Sequence, residues 1–150
     1  MTKFIAYTHI GDYGQAVDKI KLVPDKEVQI DEISLNIEGH YCDLSGKKLS
    51  EGILSIEKSQ DGYELLMDPF LYRYDFKITG KIGRDEIVVT KENIDEVVVK
   101  GLDTFTPKEE NGVIYRIYEP EATTPRPLVL FLHGGGECGE DTVLQMTGTI

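Results

Sequence analysis

Residues 33–38 read ISLNIE, and in this stretch apolar side chains alternate with polar ones. A period of two places alternate side chains on opposite faces of an extended chain, which is typical of a half-buried β-strand. Residues 70–77, FLYRYDFK, alternate in the same way, so we expect a second strand there. The apolar positions of that stretch are mostly aromatic: Phe70, Tyr72, Tyr74 and Phe76.

Further short β-branched or alternating runs flank these two stretches, at residues 3–7, 52–56, 87–89 and 97–99. Glycine-containing turn dipeptides lie between the runs, at 45–46, 61–62, 79–80 and 82–83. Short strands at this spacing predict a mainly β fold, an immunoglobulin-like antiparallel sandwich over residues 1–101. Residues 15–22 are the exception, because their apolar spacing favours two helical turns that end before Pro24.

Composition narrows the class of protein. The 150 residues are 40% apolar and 29% charged, with a formal net charge of −11. That charge argues against nucleic acid and against an anionic membrane surface as partners. The N-terminus has no long apolar segment before Gly11, so a cytoplasmic protein is expected, with secretion as the open alternative. The two cysteines, Cys42 and Cys138, are expected to be free thiols.

The pattern changes near Gly101. Residues 102–106 and 113–118 form a predicted hairpin around Asn111-Gly112, a dipeptide that tolerates positive φ at both central positions of a tight turn. Residues 128–132, LVLFL, are apolar at every position, which is typical of a strand buried in a parallel sheet. Such a strand needs neighbours and covering helices. We therefore expect residues 102–150 to be the beginning of a second, truncated domain, and the chain to be an N-terminal fragment.

A glycine-rich loop, His133-Gly134-Gly135-Gly136-Glu137, follows that apolar segment. Glycine clears side-chain bulk where backbone must approach a ligand. An oxyanion-hole loop of the HGGG type matches the sequence and the strand before it. Two alternatives stay open: a structural turn, or a dinucleotide site, because Gly134, Gly136 and Gly139 also satisfy G-x-G-x-x-G.

The run PLVLFLHGGGE at 127–137, followed by Gly139, Asp141 and Gln145, resembles the start of the catalytic domain in bacterial carboxylesterases of the phospholipase/carboxylesterase and dienelactone-hydrolase kind. Some of these esterases carry an N-terminal immunoglobulin-like domain, to which residues 1–101 are similar in strand pattern. The resemblance implies an α/β-hydrolase domain at 102–150 that acts on small-molecule carboxylic esters through an acyl-enzyme, without cofactor or metal.

The resemblance also implies site residues. Gly135 and Gly136 are the expected oxyanion donors, and His133, Gly134 and Glu137 are expected to support the loop. The serine nucleophile, the acid and the base would lie beyond residue 150, because no serine of this chain stands in a G-x-S-x-G elbow. The chain alone is therefore expected to be inactive as a hydrolase.

The alternative function is a non-catalytic β-sandwich that binds or interacts with a partner. The aromatic stripe would serve it as a carbohydrate or substrate platform, although the inner face of a sandwich is the simpler expectation. A metal site is not expected, because His9, His40 and Cys42 have no partnering pair at ligand spacing. Homo-oligomers through the sandwich domain are a further expectation.

Overall fold

The computed structural model describes residues 1–11, 14–39, 52–132 and 146. Two compact units meet at the Lys100–Gly101 peptide. The described residues of the first, Met1–Lys100, form eight strands and two single-turn 3-10 helices, Ile30–Glu32 and Lys91–Asn93. Its strands are β1 (Lys3–Gly11), β2 (Gly14–Val23), β3 (Ile33–Glu38), β4 (Ile53–Ser59), β5 (Gly62–Leu71), β6 (Lys77–Ile82), β7 (Asp85–Thr90) and β8 (Glu96–Val99).

The strands form two sheets, ordered β4-β5-β2-β1-β8 and β3-β6-β7. Both sheets contribute to one apolar core. Ile20, Leu65 and Phe70 come from the larger sheet, and Ile37 and Ile78 come from the smaller one. Two sheets that share a core between their inner faces form a β-sandwich. The mainly β fold class is therefore confirmed.

The order and direction of the strands define the topology of the sandwich. Strands β1 to β7 pair as 4-5-2-1 and 3-6-7, and every one of these pairs is antiparallel. Constant-type immunoglobulin sandwiches arrange their seven strands in the same order. Strand β8 is an addition, which pairs parallel to β1 at the edge of the larger sheet. The sheet is therefore not purely antiparallel.

Strand β8 is fastened to β1 along its length. The amide of Phe4 donates to the Asp95 carboxylate (2.8 Å), and the amide of Asp95 donates to the Phe4 carbonyl (3.0 Å). Further along, the hydroxyl of the buried Thr8 donates to the Val98 carbonyl (3.0 Å). These bonds hold the last strand of the first unit on its sheet just before the chain enters the second unit.

The expected helical turns at residues 15–22 are wrong, because these residues lie in strand β2. The register of β1 against β2 shifts at Asp18: Thr8 pairs with Val17, whereas Tyr7 pairs with Lys19. A β-bulge of this kind inserts one residue and resets the alternation. The buried residues Val17 and Ile20 are therefore three positions apart, a spacing that also occurs on a helix.

The predicted strand over residues 70–77 is also wrong in part. Strand β5 ends at Leu71, and a turn follows in which the Tyr74 amide donates to the Leu71 carbonyl (3.2 Å). Thr79-Gly80, predicted as a turn, lies inside β6 instead. The strands predicted at 3–7, 33–38, 52–56, 87–89 and 97–99 are confirmed, with small differences at their ends.

The described part of the second unit contains a hairpin of β9 (Thr106–Glu110) and β10 (Val113–Ile117), preceded by a 3-10 turn at Leu102–Thr104. Asn111 and Gly112 have φ values of 53° and 79°, which confirms the predicted turn with two positive φ angles. Residues 118–132 contain no helix or strand.

Candidate functional site

The predicted oxyanion loop lies outside the described residues. This holds for His133, Gly134 and Glu137 and for the two expected donors, Gly135 and Gly136. Their roles therefore stay predictions. What the structure gives is the chain that leads to the loop, together with the other groups in the first unit that resemble parts of an active site.

The hairpin before the loop has a local anchor. The Arg116 guanidinium on β10 donates to the carbonyl of Phe105 (2.8 Å) and to that of Leu102 (3.3 Å). The Phe105 and Tyr118 rings lie 5.6 Å apart between centroids. These contacts attach the start of the unit to the end of β10, from which the chain runs towards residue 128.

The segment 128–132 is not the buried strand that its sequence predicts. It has no regular structure, and its five side chains are 58–87% exposed. A strand that is apolar on both faces forms when neighbouring strands satisfy its backbone and helices cover its faces. No described residue supplies either, which is the physical reason for the difference.

His9 and Asp18 form an imidazole–carboxylate pair in the first unit. Their Nδ1 and Oδ1 atoms are 2.6 Å apart, and both side chains are 38% exposed. In nucleophilic active sites, a pair of this kind supplies the general base and the carboxylate that orients it. His9 pairs with Ala16, however, whereas Ser55 lies opposite Leu66 on the far side of β2. No described serine stands beside His9 in these ladders, so the pair does not form a triad.

The aromatic stripe is divided between core and turn. Phe70 and Phe76 are buried, and their ring centroids lie 5.1 Å apart with an interplanar angle of 65°. These two residues therefore face the interior of the sandwich, as expected for its inner face. Tyr72 and Tyr74 are half-buried in the turn after β5. Burial raises the pKa of the Tyr72 hydroxyl, and the nearby Glu92 carboxylate raises it further. The four rings do not make one exposed platform.

An open groove of about 370 Å³ lies between residues 24–29 and residues 58–63. Its lining includes Asp25, Lys26 and Asp61, whereas small-molecule pockets are predominantly apolar. The Tyr63 hydroxyl donates to the Val28 carbonyl across it. The Ser59 hydroxyl is buried, with no hydrogen-bond partner among the described residues.

A charged pair joins β2 to the turn between β4 and β5. Lys21 Nζ and Asp61 Oδ1 are 2.5 Å apart, and this hydrogen bond lowers the pKa of Asp61 and raises that of Lys21. Among the described residues there is no cluster of three or more His, Cys, Asp or Glu side chains that could hold a metal ion. In that same part of the chain, no helix has the length and apolar character needed to cross a membrane.

Comparisons with known proteins add one finding on fold. The chain matches the crystal structure of a thermostable esterase with a TM-score of 0.58 and 18% sequence identity. The match covers 98% of this chain and 51% of the esterase, so the chain spans about half of that protein's length. No protein-family model and no curated protein matches the sequence. At this identity the likeness establishes a shared fold.

Proposed function

We propose that this chain is the N-terminal part of a serine carboxylesterase. Residues 1–101 would form an immunoglobulin-like accessory domain, and residues 102–150 would begin an α/β-hydrolase domain that carries the oxyanion loop. The observation that carries the proposal is the fold shared with a thermostable esterase over 98% of this chain. The His-Gly-Gly-Gly sequence at 133–136 supports it independently.

Exposed apolar surface in the second unit supports the same proposal. Val113 and Ile114 on β10 are 62% and 41% exposed, and residues 128–132 are more exposed still. An isolated two-stranded hairpin is marginally stable in water, so it normally belongs to a larger sheet. In the proposed domain, further strands and helices would cover these side chains, and 128–132 would become a strand.

The proposed chemistry assigns this chain one task. Attack on an ester carbonyl creates a negative oxygen, which backbone N–H groups placed in advance stabilise. Gly135 or Gly136 would donate to that oxygen, while His133, Gly134 and Glu137 would hold the loop in shape. The attacking serine and its acid and base would come from the rest of the domain. The substrate would be a small carboxylic ester, and the reaction needs no cofactor.

The test is ester hydrolysis by the protein translated from the uninterrupted reading frame that contains these residues. Proline at Gly135 or Gly136 removes one amide donor, whereas Gly135→Ala and Gly136→Ala retain it. We expect proline at the donating position to lower kcat about 100- to 1,000-fold, with a smaller change in KM and a smaller effect of alanine.

Residues 1–150 alone serve as the negative control, and they should not turn over p-nitrophenyl acetate. Turnover by this chain that survives Gly135→Pro and Gly136→Pro would contradict the proposal. A reading frame without a G-x-S-x-G sequence would also contradict it, and would favour the non-catalytic binding module.

A further inference from the structure

Strand β8 lies at one edge of the larger sheet, as far as the described residues show. It is the terminal strand of that sheet and pairs with β1. Among the described residues, no other strand forms a ladder with it. Val97, Val98 and Val99 are half-buried, whereas Glu96 at the start of β8 and Lys100 directly after the strand are exposed. A short β-branched edge of this kind can pair with another extended strand.

The direction of the free backbone groups follows from the β1–β8 register. Thr8 is aligned with Val99, and its carbonyl accepts from the Lys100 amide (2.8 Å). In a parallel ladder, a residue bonds to the two neighbours of its aligned partner, here Val98 and Lys100. The backbone groups of Val97 and Val99 therefore point away from β1, towards the open edge.

Those two residues define how a second β8 could pair antiparallel by a two-fold axis. Val97 of one copy must face Val99 of the other, because these are the described residues of β8 whose backbone groups face the edge. The axis then passes through a non-hydrogen-bonded pair of Val98 residues. In this register Glu96 of one copy lies opposite Lys100 of the second copy, and the symmetry repeats the pair.

The charges at the ends of β8 agree with that register. Like charges at both ends of an edge strand would repel a second copy. Here the signs are opposite, acidic at Glu96 and basic at Lys100. Opposite charges that face each other across antiparallel strands attract, whereas a parallel arrangement would place like charges together.

We propose that β8 is a self-association edge at which a second copy of this chain binds, joining the two larger sheets into one continuous ten-stranded sheet. Four backbone hydrogen bonds between Val97 and Val99 and two Glu96–Lys100 ion pairs define the contact. The proposal depends on residues 95–100 and is independent of the esterase proposal.

Sedimentation equilibrium over a concentration series tests this with the whole chain. Glu96→Lys and Lys100→Glu each place like charges together twice, and each should weaken the dimer about tenfold. The double variant E96K/K100E restores opposite charges in swapped positions and should restore the wild-type dissociation constant. If apolar residues elsewhere caused association, neither single variant would weaken the dimer and the double variant would have nothing to restore.

Val97→Pro provides a second variant. It removes an amide that faces the open edge while leaving the β1–β8 ladder intact, so it should abolish the dimer without changing the far-UV circular dichroism. The matched control is Glu86→Lys on β7, an edge strand of the smaller sheet, which should have no effect. A monomer at every concentration, or a dimer insensitive to both single reversals, overturns the proposal.

Discussion

At the scale of single residues, Gly80 shows why one β-strand position admits only glycine. It lies inside β6 with φ of 144°, and an added Cβ would stand 2.0 Å from the Ser34 carbonyl oxygen on β3. A backbone atom at that distance cannot move aside without separating the two strands. The sequence suggests that this glycine forms a turn. In the structure, glycine is required at this position because the neighbouring strand β3 approaches its backbone closely.

Gly80→Ala should therefore lower the free energy of unfolding by at least about 2 kcal/mol, because it adds a clash to an unfavourable φ. The matched control is Gly83→Ala, at φ of 59° with no heavy atom within 4 Å of the added Cβ. It should cost only about 1 kcal/mol of backbone strain. Urea unfolding followed by circular dichroism measures both values, and equal losses would contradict the clash.

The Lys21–Asp61 pair predicts a pH dependence. The hydrogen bond lowers the pKa of Asp61 below its usual 3.8 in the folded state. The stabilisation is therefore present above the unfolded-state pKa and is lost as the pH falls through the folded-state value. Asp61→Asn should make stability less sensitive to acid below about pH 4.

Thermal unfolding across the acid range measures this effect. The control is Lys21→Met, which removes the cause of the shift. In that background Asp61→Asn should no longer alter the acid dependence. If Asp61→Asn changes the acid dependence of stability as much in the Lys21→Met background as in the wild type, Lys21 does not lower the pKa of Asp61.

At the scale of elements, alternation in the sequence predicts strands well where the ladder is regular. Strand β3 occupies Ile33–Glu38 as its pattern indicates. Strand β2 was missed because the bulge at Asp18 replaces the period of two with a helical spacing. The end of β5 at Leu71 was not predicted, because Tyr72 and Tyr74 continue the alternating pattern although they lie in a turn. Bulges and turns depend on partner strands, which a local pattern does not contain.

The position of strand β8 beside β1 depends on the hydrogen bonds between Asp95 and Phe4. Asp95→Ala removes the carboxylate that accepts the Phe4 amide (2.8 Å). A hydrogen bond to a charged group has a net value near 1.5–3 kcal/mol, so we expect a loss of about 1 to 2 kcal/mol for this partly exposed one. Amide hydrogen exchange of Val98 and Lys100, whose amides face β1, should accelerate more than that of Ile20 in the core.

The exposed Glu86→Ala on β7 is the control for that comparison and should leave the exchange of β8 unchanged. If Asp95→Ala leaves the Val98 and Lys100 amides as protected as before, the Asp95–Phe4 hydrogen bonds contribute nothing to holding β8 on β1. The sandwich would then depend on the β1–β8 ladder alone at this edge.

At the scale of the whole molecule, the two units differ in how completely their described residues bury apolar side chains. The first unit has a core that both sheets share, whereas the described part of the second exposes Val113 and residues 128–132. Sequence analysis could predict the sandwich from local alternation. It could not predict the state of 128–132, because a strand of that kind takes its structure from neighbours outside the segment.

Limited proteolysis with thermolysin should therefore cleave first within residues 128–132, where exposed apolar side chains suit the protease. The strands β1 to β8 should resist cleavage, since their backbone is held in two sheets. Mass spectrometry of the products over time identifies the order. Early cleavage within β1 to β8, at a rate equal to that in 128–132, would contradict this difference between the units.

The proposed function requires that the amide of Gly135 or Gly136 donate to an oxyanion. The most direct measurement is a crystal structure of the protein from the uninterrupted reading frame, with a phosphonate ester bound as a tetrahedral mimic. We expect a phosphoryl oxygen about 2.7–3.1 Å from the amide of Gly135 or Gly136. Both amides bonded within their own chain, with the phosphoryl oxygen held elsewhere, would contradict it.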